Sequence, residues 1–269
     1  MNVCNLRSRN SGSISRGEGL DQFRQSFAAH AHQYVLIGGT AATLAMEDAG
    51  LNFRATKDLD VVLHIEAIDA AFGETFWRFV EEGQYEIREA SATGKRTFYR
   101  FQKPADERFP VMLELFCRAP QGIALAAGSH LTPIPIDEAV ASLSAILLDD
   151  DYYEFIMSGR RETDGLPWVG EDRLIPLKAV AWLDLKARHA NGEAVDAKNI
   201  RKHANDVLRL AQLLAPDTRI AVVEKIARDR ARFLDRIAAD VTINPGALGL
   251  PATSAEISAR IRQAYEVRG

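Results

Sequence analysis

Cysteine is nearly absent from this chain: two among 269 residues, Cys4 and Cys117. Two cysteines build no disulfide framework. Cys117 lies in an apolar strand pattern and reads as a buried free thiol, which fits a reducing compartment. Long apolar runs are also missing. None approaches the roughly 20 residues that span a bilayer, so no membrane contact is expected. The N-terminal stretch MNVCNLRSRNSGSISRGEG has basic residues but no apolar core, so it does not read as a secretory signal; Ser, Gly and Arg dominate it, and disorder is expected over 1–19. Nor does one sign of charge prevail. Lys and Arg number 33 against 37 Asp and Glu, a net −4. That excludes wholesale coating of nucleic acid but leaves room for a local basic groove. Internal repeats and low-complexity tracts are lacking too. A cytoplasmic protein is the expectation.

What is present suits a packed core: 47% hydrophobic and 26% charged residues. The length allows one large domain or two modest ones. The most informative stretch is 34–65, YVLIGGTAATLAMEDAGLNFRATKDLDVVLHI. Tyr34–Ile37 is a short apolar run of strand type. Gly38 and Gly39 follow, then a helical run over Thr40–Asp48 closed by Gly50. A polar loop with Arg54 and Thr56 leads to Asp58-Leu59-Asp60 and then Val61-Val62-Leu63.

Asp58 and Asp60 are the chemical centre. In an extended chain residues i and i+2 point to one side, so the two carboxylates converge. Converging carboxylates repel each other and suit a hard divalent cation. Such a cation stabilises charge on phosphate oxygens. Glycine backbone can approach a phosphate closely, and the following helix presents its N-terminus to the same anion. Each piece also has an ordinary reading: Asp-x-Asp as a solvated loop edge, Gly-Gly as a tight turn. Their combination in one compact unit is more specific.

That order of strand, Gly-Gly-Thr turn, helix, Arg-x-Thr-x-Asp-x-Asp and strand resembles the nucleotidyltransferase superfamily of polymerase-β type. Arg54 to Asp60 most resembles the AbiEii/AbiGii-type toxins of type IV toxin–antitoxin systems. The resemblance implies Mg²⁺ or Mn²⁺ on Asp58 and Asp60 and an NTP as substrate. Phosphate would lie on Gly38, Gly39 and Thr40, with Arg54 and Thr56 beside it. A third acidic residue on a neighbouring strand would complete the metal site or accept a proton. Glu114, alone in the apolar run Pro110–Phe116, is the candidate; pairing with Arg100 or Arg118 is the ordinary alternative for a buried carboxylate.

The remaining elements are read from periodicity. Leu20–His32 and Glu66–Glu82 are expected helices, the second closed by Gly83 as a C′ glycine. Phe98–Phe101 and Pro110–Phe116 are expected strands, and Thr132–Ile136 is extended by its prolines. Over 119–170 the pattern is least legible; Ser142–Leu148 and Tyr152–Met157 read as strands joined by the turn Asp149–Asp151. From 171 onward the chain is helical. Pro176 suits a first helical position, with Ala179, Val180, Leu183 and Ala187 as the apolar stripe. Helices over Asp196–Leu214, Thr218–Ile237 and Ala255–Arg268 follow, the last capped by Thr253 or Ser254.

A second constellation lies on the first two of these helices: Lys178, Lys186, Arg188 and His189, then Lys202, His203, Asn205 and Asp206. Helices joined by a short loop are antiparallel neighbours, so these groups can face one cleft. The text around them resembles the toxin family's helical motif, with Lys186 matching its lysine and Asp206 its second aspartate. His203 stands where that family has its first aspartate. The resemblance implies that Lys186 neutralises phosphate charge and that Glu114 or Asp206 handles a proton. Solvated polar faces are the ordinary reading of such runs.

The expected fold is α+β: a mixed twisted sheet flanked by helices over 20–170, then a helical domain over 171–269, with the cleft between them. The expected activity is metal-dependent transfer of NMP to an acceptor hydroxyl. Resemblance adds a tRNA or other RNA acceptor and a cognate antitoxin. A small-molecule nucleotidyltransferase and a nucleotide-binding module without turnover are the rival readings.

Overall fold

The structure, a computed structural model, describes residues 17–54, 56–90, 97–120, 131–134, 144–240 and 242–268. In chain order the elements are α1 (Glu18–Ser26), a 3-10 segment (Ala28–Gln33), β1 (Tyr34–Ile37), α2 (Gly38–Asp48), β2 (Asp58–Leu63), α3 (Ala70–Glu82), β3 (Glu86–Ala90), β4 (Thr97–Gln102), β5 (Met112–Cys117), β6 (Leu131–Pro133), β7 (Ser144–Leu147), α4 (Asp150–Met157), β8 (Arg160–Thr163) and β9 (Leu166–Val169). Then come α5 (Glu171–Ala190), α6 (Ala197–Leu210), β10 (Ile220–Val222), α7 (Glu224–Ala239), α8 (Ser254–Ala264) and β11 (Tyr265–Val267).

The main sheet runs β3-β4-β5-β2-β1-β9-β8, with β7 beside β5 and β6 beside β7. It is mixed: β2 lies antiparallel to β1 and parallel to β5, and β1 lies parallel to β9. The expected mixed sheet flanked by helices is the observed fold. Register sorts the side chains into two faces, because successive residues of a strand alternate. Tyr34, Leu36, Leu59, Val61, Leu63, Phe101, Leu113 and Leu115 share one face and are buried. Against them pack Phe23, Phe27, Phe72, Phe76 and Phe79 from α1 and α3, ring against ring. The aromatic stripe read on α3 is therefore core. Asp58, Asp60, Glu114 and Arg100 share the other face. An apolar face clamped by two helices is what holds this polar row in register.

Several sequence expectations are corrected. Tyr152–Met157 is not a strand but most of α4; Asp149 caps that helix by accepting from the Asp151 amide at 3.2 Å, and Asp150 and Asp151 sit in its first turn. Acidic residues favour that end of a helix dipole. Gly83 is not left-handed; Gln84 carries the positive φ, +50°. Glycine at 83 serves packing, since a Cβ there would stand 2.6 Å from the Tyr85 ring and 2.9 Å from Phe109. α5 begins at Glu171, so Pro176 lies inside it, and Ala187 of the expected stripe is exposed. Ile220–Val222 and Tyr265–Val267, read as helical, form a two-stranded parallel sheet. Thr253 caps α8 with a capping box. Cys117 is a buried free thiol. The N-terminal stretch expected to be disordered lies outside the described residues up to 16; α1 begins at Glu18.

Candidate active site

The turn between β1 and α2 shapes the centre. Gly38 has φ +68°, and a Cβ on it would stand 1.7 Å from Oδ2 of Asp60. Only glycine tolerates both the conformation and that approach. The Asp60 carboxylate thus lies against the first residue of α2. Gly39 is as closely flanked: its Cβ would meet Thr56 Oγ1 at 2.8 Å and an Arg54 guanidinium nitrogen at 3.4 Å. Gly38, Gly39, Arg54, Thr56 and Asp60 are one cluster. Thr40 is buried and donates its hydroxyl to the Asp58 carbonyl, 2.8 Å. It ties α2 to the start of β2 and so positions Asp58.

Asp58 and Asp60 share one face of β2, with buried Leu59 on the other side. Asp60 is register partner to Glu114 on β5. Burial, and then the neighbouring Glu114 charge, push the Asp60 carboxyl up to about 6; Lys178 opposes them. Glu114 is in turn register partner to Arg100 on β4, and the two form an ion pair.

The helices supply a second cluster, centred on Asp206, whose side chain is fully buried. Arg54 grips it with two hydrogen bonds, Nε–Oδ1 at 3.1 Å and Nη2–Oδ2 at 2.8 Å. Lys178 Nζ donates to the same Oδ2 at 2.8 Å. Burial alone would raise the Asp206 carboxyl; Lys178 and Arg54 outweigh it and hold it below the usual range. Burial lowers Lys178, with Asp206 opposing. Asp206 therefore joins the loop before β2 to α5 and α6.

The lysine brought to this cluster is Lys178, not Lys186. Lys186 lies two turns further along α5, pairs with Asp240 at 3.0 Å and stands over the Trp182 ring. Asp206 orients Lys178 and makes no contact with Lys186. A sequence signal for Lys178 exists: it falls in the stripe Leu174, Ile175, Ala179 and Trp182, and a lysine among buried residues needs a partner. His203 is one turn before Asp206. Its Nδ1 is buried without a hydrogen-bond partner. Burial and then Lys178 push its imidazole down to about 4, so it is neutral at ordinary pH.

Two carboxylates on one strand face beside a bare glycine turn fit a hard divalent cation bound together with phosphate oxygens. The third does not join them. Among the described residues no group of three His, Cys, Asp or Glu side chains is arranged to hold a metal.

No family model and no curated protein matches the chain. In structure it is similar to an antigenic nucleotidyltransferase-like protein from Paracoccidioides brasiliensis, with 14% identity, a TM-score of 0.39, and coverage of 80% of this chain and 88% of that one. No helix among the described residues is long and apolar enough to cross a membrane.

Proposed function

We propose that the chain is a metal-dependent nucleotidyltransferase. The observation that carries this is the contact of Asp60 with Gly38: a carboxylate and a glycine turn at a helix start meet at one point, with the buried Lys178 near enough to act on that carboxylate. Asp58 and Asp60 would hold Mg²⁺ or Mn²⁺, which when bound supplies positive charge to the triphosphate. Gly38 and Gly39 would offer their backbone amides at the start of α2 to a phosphate, with Asp60, Thr56 and Arg54 close beside them. Lys178 and Arg54, held by Asp206, are the point charge and planar fork suited to the outer phosphates. The acceptor oxygen bonds to the α-phosphorus, the bond from that phosphorus to the β-bridging oxygen breaks, and pyrophosphate leaves. Of the carboxylates named for the hydroxyl proton, Glu114 is engaged with Arg100, and Asp206 is held below the usual carboxylate range by Lys178 and Arg54, which makes it a weak base. Asp60, engaged with the divalent cation, is not free to take the hydroxyl proton, which would leave through solvent.

An RNA acceptor, tRNA included, is the substrate class proposed. Lys198, Arg201, Lys202 and Arg209 fall within an arc of roughly 100° on α6 at 100° per residue. Among the described residues none of the four has an ion-pair partner. Lys202 is near enough to lower Asp60, so the stripe passes beside the proposed reaction centre. Arg188, in contrast, is spent on Glu193 and Asp184. The resemblance to AbiEii-type toxins extends the proposal to a toxin role with a cognate antitoxin.

The test is transfer of α-³²P label from each NTP to total RNA, with Asp58→Ala/Asp60→Ala as control. Labelled RNA that the control abolishes is expected, and it names the nucleotide. Intact nucleotide binding with no label on RNA would remove the RNA acceptor and favour a small-molecule acceptor or a binding module.

A further inference from the structure

The sheet face that carries Asp58 and Asp60 has a ladder across three neighbouring strands. Arg100 of β4 is partner to Glu114 of β5, and Glu114 is partner to Asp60 of β2. Adjacent strands lie about 4.8 Å apart, so each side chain in the ladder is within reach of the next. Glu114 has a choice between a carboxylate on one side and a guanidinium on the other. It takes the guanidinium: Nε and Nη2 of Arg100 both converge on Oε1. The Glu114 side chain is 12% exposed, so water screens this pair little.

We infer that Arg100 withdraws Glu114 from the metal site, so that Asp58 and Asp60 are the carboxylates that serve a divalent cation. This rests on the metal-dependent reading above. Three features carry it. The three carboxylates do not gather around one point. The cation beside Glu114 is an arginine, which cannot lose its charge, so a metal drawing on Glu114 would have to share it with a fixed positive charge. And Mg²⁺ needs no third carboxylate, since it is commonly held by one or two together with substrate phosphates and water. Arg100 is then a positioning residue. It supplies, as a permanent part of the fold, positive charge at the place where a third ligand would otherwise call for a second ion.

The experiment is a Mn²⁺ titration of the nucleotide-free full chain, followed by electron paramagnetic resonance, with melting curves to confirm folding. Expected is a Mn²⁺ site that Asp60→Asn abolishes and Glu114→Gln leaves unchanged. Arg100→Met frees Glu114 and should tighten Mn²⁺ about tenfold, the scale of outer-sphere effects on metal sites. Adding Glu114→Gln to that variant should cancel the gain. Mn²⁺ binding weakened by Glu114→Gln as strongly as by Asp60→Asn overturns the inference while leaving metal dependence standing. So does an Arg100→Met chain that folds and binds Mn²⁺ as the wild type does. If Arg100→Met does not fold, the Glu114→Gln result alone decides. Mn²⁺ bound by neither wild type nor Arg100→Met overturns the inference, and the same titration with a non-hydrolysable NTP added decides the metal-dependent reading separately.

Discussion

The hydroxyl of Tyr265 donates to the carbonyl of Asp172 at 2.9 Å, and Asp172 is the residue four before Pro176. A helical amide at 176 would have taken that carbonyl, but proline has none. The C-terminal strand β11 thus completes the hydrogen bonding of α5 at its proline. Lys178 follows two residues later, so the latch lies next to the buried cation of the site. Arg230 holds the other end, donating to the Tyr265 carbonyl at 2.9 Å.

Removing the hydroxyl should therefore cost more than a surface substitution. Tyr265→Phe leaves the half-buried Asp172 carbonyl without this partner, a loss of about 1 kcal/mol. Pro176→Ala restores an amide at the right place. In that background the cost of Tyr265→Phe should shrink, so the double-mutant cycle is non-additive. Urea denaturation of the four chains measures it; additive effects would show that Tyr265 does not stand in for the missing amide.

The two lysines of α5 should separate cleanly. Lys178→Ala removes the cation that Asp206 holds in the cleft, and nucleotidyl transfer should fall at least tenfold. Lys186→Ala breaks the half-exposed pair with Asp240, and transfer should persist. Asp206→Ala leaves Lys178 buried without its partner, and breaking such a pair costs about 3–5 kcal/mol. Lys178→Met with Asp206→Leu should recover part of that stability without recovering activity. Chemical denaturation and the label assay read the two effects. Loss of transfer in Lys186→Ala at unchanged stability would return the role to Lys186.

How far these residues could be read from sequence depended on how local their determinants are. Tyr34–Leu63 was legible because strand, glycine turn, helix and Asp-x-Asp strand are consecutive, and alternation alone puts Asp58 and Asp60 on one side. Glu114 stood out as a single charge in an apolar run. Its commitment to Arg100 depends on the register of β4 with β5, which no local pattern fixes. Tyr152–Met157 was misread because a short apolar run does not separate strand from buried helix; the cap by Asp149 decides it. Tyr265–Val267 continues the period of α8, and becomes a strand because β10, more than 40 residues earlier, is there to pair with it. Lys178 needed the helix faces. Of the expected stripe on α5, Ala179 and Leu183 are buried and Ala187 is exposed, and only the packing against α6 shows which lysine meets Asp206.

Asp60 should make the metal-free protein pH-sensitive. Its carboxyl titrates at about 6 when folded, against 3.8 as the ordinary value. Between those values the unfolded chain binds fewer protons than the folded one, so stability falls as pH rises through that window. Asp60→Asn escapes the fall. Its gain over wild type should be near zero below pH 4 and level off above pH 6 at about 2 kcal/mol, a figure reduced because Asp60 is not wholly shielded from water. Thermal melting in EDTA across pH 4–8 measures it. Saturating Mg²⁺ should narrow the difference by stabilising the wild type. A gain that grows on acidification would have the wrong sign for a raised carboxyl.

The cations of α6 give a salt dependence that distinguishes backbone binding from incidental attraction. Each phosphate of a single strand that a protein neutralises contributes about −0.7 to the slope of log affinity against log salt. Lys198, Arg201, Lys202 and Arg209 are spread over 11 residues of helix, about 17 Å at 1.5 Å per residue, enough to follow a few consecutive phosphates. Alanine at Lys198 or Arg201, both exposed and away from the buried core, should make the slope less negative by about 0.7 each. The control is Arg188→Ala, whose guanidinium is already occupied by Glu193 and Asp184 and should leave the slope unchanged. Fluorescence anisotropy with a labelled single-stranded RNA at several KCl concentrations reads each slope. Equal changes from Arg188 and the α6 residues would mean only the net charge of −4 is being adjusted. A change confined to α6 would mean that a strand lies along that helix, past Lys202 and its neighbour Asp60.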